Sequence, residues 1–199
     1  DEMPDYSART EEPEKYRKLL LQYARNFLQK DLPENTKFWI TSGRYEFHNK
    51  GIDIFIDALH TLHQQNLERC LVAYIMVPAH HAGVRRSLLD HLQHGNAATT
   101  TDDNRILTHH LHNPEQDPVL QRLAKYGLYN APDSRIKVIF VPSYLNGHDE
   151  LFNVSYYDLL VGCDLSVFPS YYEPWGYTPL ESLAFGVPTI TTTLAGFGL

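Results

Sequence analysis

The chain lacks the features that mark several protein classes. It has only two cysteines in 199 residues, and Cys70 and Cys163 lie far apart in apolar surroundings. Neither a disulfide framework nor a CxxC metal or redox motif can be built from them. No run of 18 apolar residues occurs and the first thirty positions carry charge throughout, which argues against a membrane span or a secretory leader. Basic residues are scarce: 17 Lys and Arg stand against 24 Asp and Glu, a formal charge of -7. That balance repels a nucleic-acid backbone or an anionic membrane. The expectation is a cytoplasmic protein with neither kind of partner. What is present is ordinary, with 43% hydrophobic residues, enough for one domain with its own core. The sequence opens without an initiator methionine and stops at Gly198-Leu199 after a strand-like run. It therefore reads as a piece of a longer protein, sharing its function with other segments.

Hydrophobic periodicity sets out the elements. After Pro13, residues Tyr16, Leu19, Leu20, Tyr23, Phe27 and Leu28 recur at helical spacing, so residues 1–34 form a leading helical segment. KFWITS (37–42) has the length and β-branched content of a buried strand and breaks at Gly43. Ile52, Phe55, Ile56, Leu59 and Leu62 mark a second helix, and LVAYIMV (71–77) is a strand covered on both faces. Helices follow near 84–94, 119–126, 156–162 and 179–185, with strands at 136–141, 165–168 and 189–192. Strands alternating with helices predict an α/β fold with an open, doubly wound, Rossmann-like parallel sheet. The stretch 95–117 is polar and patternless and is expected to leave the sheet as a mobile excursion.

In such a sheet, ligands bind where loops leave the carboxyl ends of the strands. The first such loop, GRYEFHNKG (43–51), carries Arg44 and Lys50, cations that can neutralise a diphosphate near the following helix N-terminus. It is neither a Walker loop nor a GxGxxG fingerprint, and by residue type alone the same two residues read first as solvated surface charges. The second loop, SYYEPWGYTPLE after Phe168, sets three tyrosines, a tryptophan and two carboxylates on a strand end, a mixture that core packing does not call for. Glu173 lies in the loop proper. Thr178 with Pro179 and Glu181 spells a capping box, giving Glu181 a structural explanation of its own. His80 and His81, and His109, His110 and His112, are loop neighbours, not expected to converge on a metal without a carboxylate or cysteine.

Taken together, SVFPSYYEPWGYTPLESLAFGVPTITTTLAGFG, SGRYEFHNKG and the linking QDPVL and RIKVIF segments resemble the glycogen synthase family of the animal, fungal and some bacterial type. The resemblance runs from about Lys37 to the end. It implies one half of a two-Rossmann-domain glycosyltransferase, the C-terminal nucleotide-sugar-binding half, with the N-terminal acceptor domain and the C-terminal closing helices absent here. It further implies that Arg44 and Lys50 hold the donor diphosphate, that the backbone at Trp175, Gly176 and Tyr177 lies near sugar and phosphates, and that Glu173 holds hydroxyls of the transferred glucose. Thr178 belongs to the same donor-binding turn. Glu181 would reach the ribose hydroxyls, and Tyr156 would stack the uracil ring unless it is a packed core tyrosine.

The function so implied is a retaining glucosyltransferase adding glucose from UDP-glucose to the non-reducing end of an α-1,4-glucan such as glycogen. No metal is expected, since the resemblance implies that the two cations serve the leaving group. The chain alone is expected to bind donor without turnover. The alternatives are a retaining glycosyltransferase using ADP-glucose and a non-catalytic sugar-nucleotide or glucan-binding module, which would keep the aromatic loop but not need the cations. Homo-oligomerisation of the full-length enzyme and its allosteric control stay open.

Overall fold

The computed structural model describes residues 12–94 and 105–198. Five strands form one parallel sheet: β1 (Lys37–Ser42), β2 (Leu71–Met76), β5 (Ile136–Val141), β6 (Leu165–Phe168) and β7 (Thr189–Thr191). Their order is β5-β2-β1-β6-β7. From β1 the chain winds outward through β2 to β5, then returns across β1 to lay down β6 and β7. The two windings part between β1 and β6, which is the switch point of a doubly wound sheet. The expected fold class is the observed one.

Alternate residues of the central strands feed opposite layers, as the period of two requires. Phe38, Ile40, Val72, Tyr74 and Ile139 pack with Leu20, Leu21 and Ala24 of α1 (Glu12–Leu28) and with Leu159 and Leu160 of α5 (Tyr156–Val161). Leu88 of α3 (Arg86–His94) joins the same layer. On the other face Ala73, Ile75, Val138 and Phe140 meet Phe55, Ile56 and Leu59 of α2 (Ile52–His63) and Val119 and Leu123 of α4 (Pro118–Lys125). Every residue of β2 and β5 is buried, which is why both read as unbroken apolar runs. Lys137 is the polar exception, and its ammonium reaches the carbonyl of Ala131.

At the amino ends of β1 and β6, Asp164 gathers three donors. Arg17 of α1 lies at 2.8 Å, Lys37 at 2.7 Å and the Phe38 amide at 2.8 Å. Burial pushes the Asp164 carboxyl up, but these bonds outweigh it and hold the group below the usual carboxylate range.

The polar stretch expected to leave the sheet behaves otherwise over 105–117; residues 95–104 lie outside the described residues. Phe140 of β5 donates to the Ile106 carbonyl at 2.8 Å, Thr108 donates back to Phe140 at 3.1 Å, and Asn130 reaches the Arg105 carbonyl at 2.6 Å. The segment thus runs along the open edge of β5, satisfying backbone groups that an edge strand would leave unpaired. It continues as β4 (His109–Leu111), antiparallel to β3 (His81–Val84) in a small second sheet. Ile106 and Leu107 are buried, a two-residue anchor too short to stand out from its polar flanks.

Candidate functional site

At the switch point the loop after β1 meets the loop after β6. Gly51 has a left-handed backbone, φ 67°, and a Cβ there would collide with the carbonyl of Pro169. Beside it, the Tyr171 amide donates to the Asn49 carbonyl at 2.9 Å, and the His48 and Tyr171 rings lie 4.0 Å apart. Backbone lies on backbone, so the two loops are held as one unit. From opposite sides of this contact Lys50 and Glu173 form an ion pair, their side chains only 15% and 19% exposed. Glu173 is fixed a second way, because its carbonyl accepts the Gly196 amide at 2.8 Å.

The α6 helix (Tyr177–Ala184) starts where the aromatic loop ends, but not as the Thr-Pro-x-Glu spelling predicts. Its N-cap is Gly176, with φ 78° and ψ 57°, and no side chain caps it. The capping box of Thr178 and Glu181 is therefore absent. The turn is made one step earlier by the residue that takes a left-handed conformation without a steric cost, which places Thr178 inside the helix. Its carbonyl accepts a bond from Ser182 at 3.0 Å. Glu181, released from capping, accepts instead from the Tyr157 hydroxyl at 3.0 Å.

Above the carboxyl ends of the strands lies a cavity of about 360 Å³, within the range of small-molecule sites. Ser42, Gly43 and Arg44 after β1 form one wall, Met76 and Pro78 after β2 a second, and Ser143, Tyr144 and Leu145 after β5 a third. Tyr156 at the start of α5, with Thr178 and Glu181 of α6, closes it. Tyr156 is packed against the core layer behind it, and its hydroxyl oxygen accepts a bond from Ser42 at 2.7 Å. Burial raises its phenol far above the ordinary value, against the lowering effect of that bond.

Of the residues singled out in the sequence, the fold brings Arg44, Tyr156, Thr178 and Glu181 around this one cavity. Lys50 and Glu173 do not line it. They face each other in the adjoining loop contact. Trp175 is 72% exposed, and Tyr177 is exposed as well, so their side chains point away from the packed loop. Arg44 stays mostly in solvent, 76% exposed, with Glu46 at 3.0 Å.

The cavity also uses residues that the sequence reading passed over: Ser42, Met76, Tyr144 and Leu145. The signal was available for the last two, since PSYLNG follows β5 as directly as GRYEFHNKG follows β1. Pairing of β3 with β4 brings together one histidine from each of the two sequence groups. The His81 and His109 rings come within 4.5 Å, and His109 is pushed down to about 4 by burial, then by His81 and His110. Among the described residues no three His, Cys, Asp or Glu side chains are grouped to hold a metal ion. No helix among them is long and apolar enough to cross a membrane.

Comparison with known proteins places this geometry in a lineage. The glycogen [starch] synthase of Neurospora crassa is 32% identical over 220 residues, covering 83% of this chain and 31% of that protein. Isoform 2 of the Saccharomyces cerevisiae enzyme is 30% identical over 225 residues, covering 83% and 32%. The chain thus spans about a third of the length of these relatives. Among solved structures, the C-terminal domain of a group 1 glycosyl transferase from Francisella tularensis overlaps 87% of this chain and 66% of its own, at 17% identity and a TM-score of 0.42. The family described as Glycogen synthase matches residues 14–93 and 96–199, and the chain belongs to that family.

Proposed function

We propose that the whole protein is a retaining glucosyltransferase that adds glucose from UDP-glucose to the non-reducing end of an α-1,4-glucan, and that this chain is its donor-binding half. The acceptor half of the cleft is assigned to another part of the longer protein, which works in the cytoplasm. The observation that carries the reading is the meeting of Arg44, Tyr156, Thr178 and Glu181 around one cavity at the switch point, with Lys50 and Glu173 paired beside it. A nucleoside enters this cavity, where its base meets the part of the Tyr156 ring that lines the wall and its ribose meets Glu181. The diphosphate then lies toward Arg44 and Lys50.

In this reading the Lys50–Glu173 pair holds two functional groups in reserve. Lys50 exchanges the carboxylate for phosphate oxygens, and Glu173 turns to hydroxyls of the transferred glucose. Backbone groups at Trp175, Gly176 and Tyr177 line the route between them. Departure of the diphosphate builds negative charge while the sugar becomes oxocarbenium-like. The preorganised cations at the leaving group therefore supply the main electrostatic stabilisation, without a metal.

Calorimetric titration of the full-length enzyme with UDP, ADP and their glucose conjugates, with and without EDTA, tests this. UDP and UDP-glucose bind, EDTA changes neither, and the adenine nucleotides bind about tenfold or more weakly, by the cost of unpaired polar groups around the wrong base. A preference for ADP-glucose overturns the donor assignment, and loss of binding in EDTA overturns the metal-free reading. Labelled glucose enters glycogen with the full-length enzyme and not with this chain alone, because the second substrate is not held in place. Sustained turnover by the chain alone refutes the division into halves.

A further inference from the structure

Glu181 lies more than one turn into α6, beyond the helix N-terminus that was expected to occupy it. One neighbour holds its carboxylate. The Tyr157 hydroxyl donates to Oε1 at 3.0 Å, and Oε2 has no partner among the described residues. Tyr157 is itself aligned from several sides. Its ring stacks on Phe185, with centroids 4.9 Å apart and planes 14° from parallel. The Tyr156 ring meets it at 5.4 Å and 65°. The helix that carries it begins with a complete capping box, in which Ser155 accepts the Asp158 amide and Asp158 accepts the Ser155 amide. Burial, then Glu181, raises the Tyr157 phenol above its ordinary value, so the group remains a donor at neutral pH.

We infer that Tyr157 is a positioning residue for donor binding: it occupies Oε1 of Glu181 and so presents Oε2 to the ribose diol of the nucleotide. The inference rests on the reading that Glu181 meets the ribose. A glutamate has three rotatable bonds, and ordering them at the moment of binding costs conformational entropy. A stacked, two-torsion tyrosine that has already chosen the rotamer removes much of that cost. Neither the aromatic loop nor the Glu173 and Glu181 pattern points to Tyr157, since its partner is fixed only when α5 and α6 pack side by side.

The test compares UDP with 2′,3′-dideoxy-UDP, which lacks the ribose hydroxyls, in calorimetric titrations of the full-length enzyme. Tyr157→Phe keeps the stack on Phe185 and removes only the donor. The variant binds UDP about three- to tenfold more weakly than wild type, the scale of a lost hydrogen bond to a charged group acting at second hand, and binds the dideoxy nucleotide as wild type does. Equal affinities for wild type and variant overturn the inference. So does an equal loss on both nucleotides, which would mark a general disturbance of the cavity. Glu181→Gln serves as the reference: if it fails to separate UDP from the dideoxy nucleotide, the placement of Glu181 on the ribose falls, and the role of Tyr157 with it. If Glu181→Gln separates them and Tyr157→Phe does not, only the role of Tyr157 falls.

Discussion

The two ends of the β1–β6 junction handle charge in opposite ways. At the amino end Asp164 is saturated by Arg17, Lys37 and the Phe38 amide, and the cluster has a complete explanation in the packing of α1 against the sheet. At the carboxyl end the side chains of Lys50 and Glu173 pair with each other, Arg44 is in solvent with Glu46, and one carboxylate oxygen of Glu181 has no partner among the described residues. The charges that secure the fold are closed off, whereas those assigned to the donor in the proposed function retain bonding capacity. Substitution at the first end is therefore felt as stability and at the second as binding or rate.

The largest effect sharpens this contrast at its functional end. Glu173→Gln in the full-length enzyme lowers kcat by about a hundredfold or more, the scale of a contact made in the transition state, and leaves the affinity for UDP within about twofold. A matched fall in UDP affinity would place Glu173 on the nucleotide instead. At the opposite end, Asp164→Asn lowers unfolding stability by roughly 2–3 kcal/mol, since it strands two cations in a partly buried site, with no change in UDP affinity. The folded-state pKa of Asp164 is depressed, so its contribution is complete above the unfolded value of about 3.9 and is lost as pH falls through the lower folded value. Urea unfolding of wild type and variant should accordingly differ by a constant amount near neutrality and converge in acid. A gap that persisted at low pH would deny the ion pairs their role.

How much of this was legible beforehand depends on the range of the interaction. β2 and β5 stood out as apolar runs because burial on both faces removes the need for polar alternation, and β1 was legible to the residue. β3 and β4 were not, since His81, Ala82, Gly83 and Val84 acquire strand geometry only from a partner far along the chain. The start of α6 was misread because a local spelling, Thr178-Pro179-x-Glu181, competed with a glycine that could take φ 78°, and the backbone followed the glycine. Lys50 and Glu173 were both visible as candidates, but not as a pair across 123 positions.

Two smaller effects test the carboxyl end further. Arg44→Ala or Lys50→Ala weakens UDP binding about tenfold, as loss of a charge-assisted bond to phosphate requires, while uridine, which has no phosphates, binds as before. Unchanged UDP affinity in both variants would return the two residues to solvent. The smallest effect belongs to Thr178→Ala, which costs less than about 0.5 kcal/mol in thermal or urea unfolding because no cap is lost. A loss of about 1 kcal/mol, typical of a removed N-cap, would restore the capping box.

The bond between Arg17 and Asp164 joins positions 147 residues apart, and it has a consequence for the order of assembly. The first described helix packs on α5, a late arrival in synthesis. A nascent chain that has delivered α1, β1 and β2 still lacks both the helix that packs beside α1 and the carboxylate that neutralises Arg17 and Lys37. Contacts of such separation slow folding, because the loop between them must be closed before they stabilise anything. During that interval the apolar stripe of Leu20, Leu21 and Ala24 is only partly covered. It is the segment where a chaperone, or a neighbouring unfinished chain, would first find purchase.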